Sequence, residues 1–147
     1  MKREDKYPTT DTFVYHNENP KNRITGDCTF RAIATATGKS WEEVVMEMAE
    51  LSCKTGYAIN DKKGIERYLD TIGWIKEKQP RRTDGKKYTG KEFCRWLNVW
   101  CKADAVIANL GGHHIVCIKR DVDGDYKVHD IANCTSKCIG NYWVKEA

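Results

Sequence analysis

The sequence predicts an α+β domain in which an N-terminal helical half, with a cysteine at a helix N-terminus, packs on a C-terminal antiparallel β-sheet. Two observations predict it. Between residues 28 and 100 apolar side chains recur at helical spacing in four stretches, and from Ala105 onward the pattern changes to short β-branched runs.

The 147 residues are read as one domain, 1–147, with residues 1–20 as an extended or edge-strand tail. A domain of this length buries roughly 70% of its unfolded surface, so its core needs neither metal nor disulfide. The opening Met-Lys-Arg-Glu-Asp-Lys lacks the apolar run of a secretory signal, and no stretch approaches the ~20 apolar residues of a membrane span. These features predict a cytoplasmic protein without membrane contact. The odd count of seven cysteines (28, 53, 94, 101, 117, 134, 138) then argues for reduced thiols rather than a disulfide framework.

The helices are read in order. Phe30, Ile33, Ala34 and Thr37 form one helical face with Gly38 as the stop, which puts Cys28 in the first turn. Ser40 and Glu43 read as a capping box ahead of Trp41, Val44, Val45, Met48 and Leu51, in a helix ending near Cys53. Ile65, Tyr68, Leu69 and Ile72 repeat the spacing between Asn60-Asp61 and Gly73, and Phe93, Trp96, Leu97 and Trp100 repeat it after a Thr89/Glu92 capping box. The three aromatics of this last helix, together with Cys53, Cys94 and Cys101, are assigned to core packing.

Strands are expected at 105–109, 113–120, 125–130 and 141–144, with 12–16 as a further edge strand. Residues 75–92 carry seven basic and three acidic side chains, a local excess of +4 equal to that of the whole chain. The segment has one aromatic, Tyr88, and no interleaved stacking platform, so it reads as a solvated loop and nucleic acid is not an expected partner.

The hairpin Asp121-Val122-Asp123-Gly124-Asp125 decides which side chains meet. A three-residue loop with Gly124 as its left-handed residue pairs 121 with 125 and 116 with 130, and leaves His114 diagonal to Asp130, ~7–8 Å between Cα atoms. A two-residue turn at Asp123-Gly124 instead separates them onto opposite faces, with Asp130 beside Cys117 and His114 opposite Asn133.

A thiol is a good nucleophile when its thiolate is favoured, and a helix N-terminus with a histidine partner favours it. Cys28 is the candidate nucleophile, His114 the base, and Asp130 the acid that orients the ring. The backbone N–H of Cys28 and the amide of Asn22 are candidate oxyanion donors. Asp27 opposes ionisation of the neighbouring thiol unless its carboxylate points away or caps the helix. His113 is expected to face away from His114.

The order of cysteine at a helix start, histidine opening a strand and aspartate ending the next strand resembles the papain-like cysteine peptidase superfamily. More narrowly, GDCTFRAIATATGKSWEEV and GGHHIVCIKRDVDGDYKVHD resemble small bacteriophage and bacterial proteins of that fold, over residues 26–46 and 111–130. The resemblance implies Cys28 as nucleophile, His114 as base and Asp130 as orienting acid. It also implies an oxyanion donor six residues before the nucleophile, here Asn22 in place of the commoner Gln.

Three function classes follow. The first is a cysteine-dependent hydrolase of peptide, isopeptide or amide bonds, with a protein or peptide substrate, a host protein if phage-encoded, and no cofactor or metal. The second is a binding protein on the same fold that sequesters a host component through residues 75–92. The third is a zinc-stabilised module using Cys134, Cys138 and His129.

Overall fold

The computed structural model describes residues 1–146 and shows a mixed α+β architecture, with five helices and a six-stranded sheet. A short helix α1 (Arg3–Lys6) precedes strand β1 (Phe13–Tyr15), which confirms the expected edge strand. Helix α2 (Cys28–Thr37) begins on the cysteine and ends at Gly38, whose φ of 78° is the left-handed cap that a β-carbon disfavours. Helix α3 (Trp41–Thr55) is started by Ser40, whose side chain accepts from the N–H of Glu43. The Glu43 carboxylate turns to Lys39 instead of closing the box, and the helix runs past Cys53.

Asp61 caps α4 (Lys62–Thr71) by accepting from the Lys63 N–H. The reciprocal Thr89/Glu92 box starts α5 (Gly90–Trp100). Strands β2 (Trp74–Glu77), β3 (Ala105–Leu110), β4 (His114–Arg120), β5 (Tyr126–Asp130) and β6 (Ile139–Lys145) complete the fold.

The sheet order is β1-β5-β4-β3-β6-β2. It corrects the expected antiparallel sheet in two places. β1 lies parallel on β5, pairing Phe13 with Val128 and Tyr15 with Asp130. No hairpin turn constrains this strand, because the whole helical half separates it from its neighbour. β2, expected within a solvated loop, pairs antiparallel with β6 through Trp74↔Lys145 and Glu77↔Tyr142. It lacks a clean alternation: Trp74 is buried while Ile75 and Lys76 are both exposed on an edge strand.

Side-chain alternation divides the core between the two faces of the sheet. Ile107, Ile115, Cys117 and Trp143 pack under α2, α3 and α4 with Ile33, Val44, Met48 and Leu69. Val106, Ala108, Val116, Ile118 and Val128 face the other way, against Phe93 and Leu97 of α5. The last helix therefore covers the opposite face.

Two core assignments need correction. Cys53 is exposed and Trp100 retains 56% of its accessible surface, whereas Trp96 and Cys101 are half-buried and pack against the core. The periodic face of α5 is broader than the sheet it covers, so its outer edge stays in solvent. Cys94 and Cys117 are fully buried, and all seven cysteines are free thiols.

The hairpin forms the three-residue loop. Asp121 N–H donates to Asp125 O at 2.8 Å, Gly124 N–H to Asp121 O at 2.8 Å, and Cys117 pairs with His129. Gly124 has φ 86°, and nothing lies within 4 Å of where its β-carbon would stand, so a substitution there tests backbone conformation alone. Gly124→Ala is expected to lower the unfolding free energy by about 1–2 kcal/mol, and Gly124→Asn by less, because asparagine tolerates the left-handed region. Urea titration measures both.

Candidate active site

The hairpin register delivers the predicted pairing. His114, the first residue of β4, and Asp130, the last of β5, meet with Nε2 and Oδ2 2.5 Å apart. His114 is 31% exposed and Asp130 is 2% exposed, so the ring reaches the surface from a buried support. With Nε2 committed to Asp130, Nδ1 is the ring nitrogen left for the Cys28 thiol.

Cys28 is half-buried at the first position of α2, the helix that packs across β4. Burial pushes its thiol pKa up, but hydrogen bonding from His114, the backbone of Ile115 and the imidazolium charge outweigh it, and the net direction is down. His114 moves the other way: the bond to Asp130 and then the bond to Cys28 raise it to about 9, against the cost of burial. The two shifts are reciprocal: each group favours the charged form of the other. Cys94 and Cys117, buried without such a partner, are pushed up to about 12.

Arg31 is the residue that sequence reasoning missed. It is 6% exposed and bridges two buried carboxylates, with Nε donating to Asp27 at 2.8 Å and Nη1 donating to Asp130 at 2.9 Å. The available signals were an Asp27/Arg31 pair at i,i+4 and an arginine set beside the apolar Ile33 and Ala34.

This network also settles the orientation of Asp27. Its carboxylate accepts from Asn19 Nδ2 at 2.9 Å, Trp41 Nε1 at 3.0 Å and Arg31 Nε, and makes no cap bond to its own helix. Burial raises its pKa, yet the Asn19, Arg31 and Trp41 donors together hold it below the usual carboxylate range. The N–H groups at the start of α2 are thereby left open toward the thiol.

Around Cys28 lies a cleft of about 350 Å³. Ile65, Ile115 and Trp143 give it an apolar floor, while Asn60, Lys62 and Asn109 stand around them. Gly26 and Gly112 leave its walls low on either side. His113 also lines this cleft; it sits in the 111–113 turn before β4, so strand alternation does not turn it away as expected. Asn22 does not line the cleft. It has a φ of 54°, borders a separate hollow with Tyr15 and Ile24, and accepts from Asn17 Nδ2 at 3.3 Å.

The zinc constellation is not assembled. His129 points Nε2 at the Lys119 carbonyl, 3.2 Å away, and its ring meets His16 edge-on. Among the described residues no group of three or more His, Cys, Asp or Glu side chains is placed to hold a metal ion. No helix is long and apolar enough to cross a membrane.

Two outcomes follow from the network. Because the His114 pKa is raised from 6.5 to about 9, its protonated form contributes stability in full below pH ~6.5, and that contribution fades as pH rises toward 9. The His114 ring resonances are expected to titrate near 9 by NMR, and at lower pH in Asp130→Asn and in Cys28→Ser. Arg31→Leu leaves two buried carboxylates short of their cation and is expected to cost about 3–5 kcal/mol in chemical denaturation, with part of the loss recovered in Arg31→Lys.

Compared with protein-family models, curated proteins and solved structures, the chain matches none.

Proposed function

We propose that the protein is a papain-like cysteine hydrolase acting on peptide, isopeptide or amide bonds, with Cys28 as nucleophile, His114 as acid and base, and Asp130 as the group that orients the ring. One observation carries the reading: Cys28 opens α2 on the edge of a cleft, and its partner His114 is held by the buried Asp130 with Nε2 and Oδ2 2.5 Å apart, an arrangement that lowers the thiol and raises the imidazole. Structural cysteines have no use for such a pair, whereas a thiol that must attack a carbonyl at neutral pH needs it.

In this reading the Cys28 thiolate attacks the scissile carbonyl carbon, and the carbonyl electrons move to oxygen. The open N–H groups at the start of α2, including that of Cys28, donate hydrogen bonds to the developing oxyanion. The His114 imidazolium gives its Nδ1 proton to the leaving amine, the C–N bond breaks, and a thioester remains on Cys28. The neutral imidazole then takes a proton from water, whose hydroxide attacks the thioester and releases the acid and the thiolate. Asp130 stays ionised throughout and keeps Nε2 protonated. Asn22, placed outside the cleft, has no part in this sequence. A protein or peptide substrate, within a host cytoplasm if the chain is phage-encoded, fits the open cleft.

Reaction with a chloroacetamide probe at pH 7 tests the reading. Cys28 is expected to label far faster than the exposed Cys53 and Cys138, and Cys28→Ser to abolish the fast phase. His114→Ala is expected to slow it by roughly tenfold or more, because an unassisted thiol is only a few per cent ionised at that pH. Peptide mapping by mass spectrometry resolves the sites. Equal labelling of Cys28, Cys53 and Cys138 overturns the proposal and favours a binding protein on the same scaffold.

A further inference from the structure

We infer that α5 and the basic turn before it form a docking surface for an acidic, amphipathic segment of a partner protein, on the face of the sheet opposite Cys28. The surface joins two features that are separate in the sequence: the basic segment 75–92 and the tryptophans of α5. Tyr88, which ends the basic turn, packs its ring 5.7 Å from Trp96, and Trp96 lies 4.1 Å from Trp100. Residues 92, 96 and 100 follow one stripe of the helix, and 91, 95 and 99 follow the next. Val99 and Trp100 remain 81% and 56% exposed at its end, whereas Trp74 and Trp143 are buried.

The charge around this apolar knob is mostly positive. Glu92 pairs with Arg82 at 2.6 Å, Asp84 with Arg82 at 3.3 Å and Asp11 with Arg95 at 3.1 Å, which leaves Glu77 and Asp104 as the nearby carboxylates without an ion pair among the described residues. Lys86, Lys87, Lys91 and Lys102 are exposed and have no ion-pair partner among the described residues. An exposed valine and tryptophan beside Lys102 at the C-terminal end of α5, with Lys86, Lys87 and Lys91 toward its N-terminal end, complement an elongated segment that sets an apolar anchor beside a run of carboxylates.

The ring geometry selects protein over nucleic acid. Single-stranded nucleic acid needs several free aromatic faces in series. Here Trp96 stacks on Phe93 at 5.3 Å and 21°, and Trp100 meets it edge-on at 83°, so the rings engage one another and a single exposed ring remains. α5 packs against Val106, Val116 and Ile118, whereas the cleft lies on the side of Ile115 and Trp143. Docking there leaves the thiol accessible and is independent of the hydrolase reading.

Fluorescence anisotropy of the full chain with a labelled peptide that interleaves Glu with Leu and Phe tests the inference. Binding is expected to weaken as salt is raised, and to fall by about tenfold in Trp100→Ala and in Lys86→Glu/Lys87→Glu. It is expected to be weaker for the same peptide with Glu replaced by Gln, and unchanged in Cys28→Ala. An unaltered Cys28 labelling rate in the surface variants shows that they fold. The inference is overturned if the acidic peptide does not bind, if the surface variants bind it as tightly as the parent, or if oligothymidylate or phosphatidylserine vesicles bind more tightly than the peptide.

Discussion

The Asp130 carboxylate is the group on which the candidate site depends. It is 2% exposed and accepts from His114 Nε2, Arg31 Nη1 and the Ile131 N–H. An isolated carboxylate at that depth costs several kcal/mol, so its partners are required by the fold before they are required by any reaction. Arg31 pins α2 to the end of β5, and His114 pins the start of β4 to the same point. Because Cys28 precedes Arg31 by less than one helical turn, fixing the guanidinium also fixes where the sulfur stands. The order Asp27, Arg31, Asp130, His114 alternates in sign once the imidazole is protonated, and Cys28 stands at its end.

That alternation explains how a carboxylate can adjoin a thiol whose pKa is nevertheless lowered. Asp27 is the N-cap of α2 by position, yet its carboxylate accepts from the side chains of Asn19, Trp41 and Arg31 and from no backbone N–H of its own helix. A missing cap costs the helix about 1 kcal/mol. The loss has a local consequence, since the open N–H groups and the positive helix end now face the sulfur and any oxyanion beside it. A rule of helix architecture is broken at the residue next to the candidate nucleophile, which is where a functional demand is expected to override local preference.

How much was legible depended on how far apart the partners lie. The Cys28 position followed from a Gly26-Asp27 turn, an apolar 3.6-residue period and Gly38, all within one short segment. The His114–Asp130 contact followed from hairpin parity, because Gly124 selects the loop and the loop fixes the register. The Arg31–Asp130 bond spans 99 residues and no local pattern encodes it. β1 was visible as a short apolar run, but its parallel pairing depends on the whole chain between it and β5. β2 was masked because Lys76 and Glu77 made an edge strand resemble a charged loop. Trp96 and Trp100 kept the period of a core face, and periodicity records which residues share a side of a helix without recording how wide the covering sheet is.

All three candidate catalytic residues sit at the ends of elements rather than within them. Cys28 opens α2, His114 opens β4, and Asp130 closes β5. The interiors of β3 and β4 are packed from both faces, with Ile107 and Cys117 on one side and Val106 and Ile118 on the other, so the strand that carries the imidazole has little freedom to shift. Its terminus, by contrast, follows Gly111 and Gly112, whose φ values of 73° and 94° turn the chain sharply and leave no side chain from Gly112 over the cleft. Rigid support and open access are thus supplied by one strand and the turn that leads into it. The proposed hydrolase needs both, because a nucleophile and its base must hold their geometry to fractions of an ångström while a substrate enters from solvent.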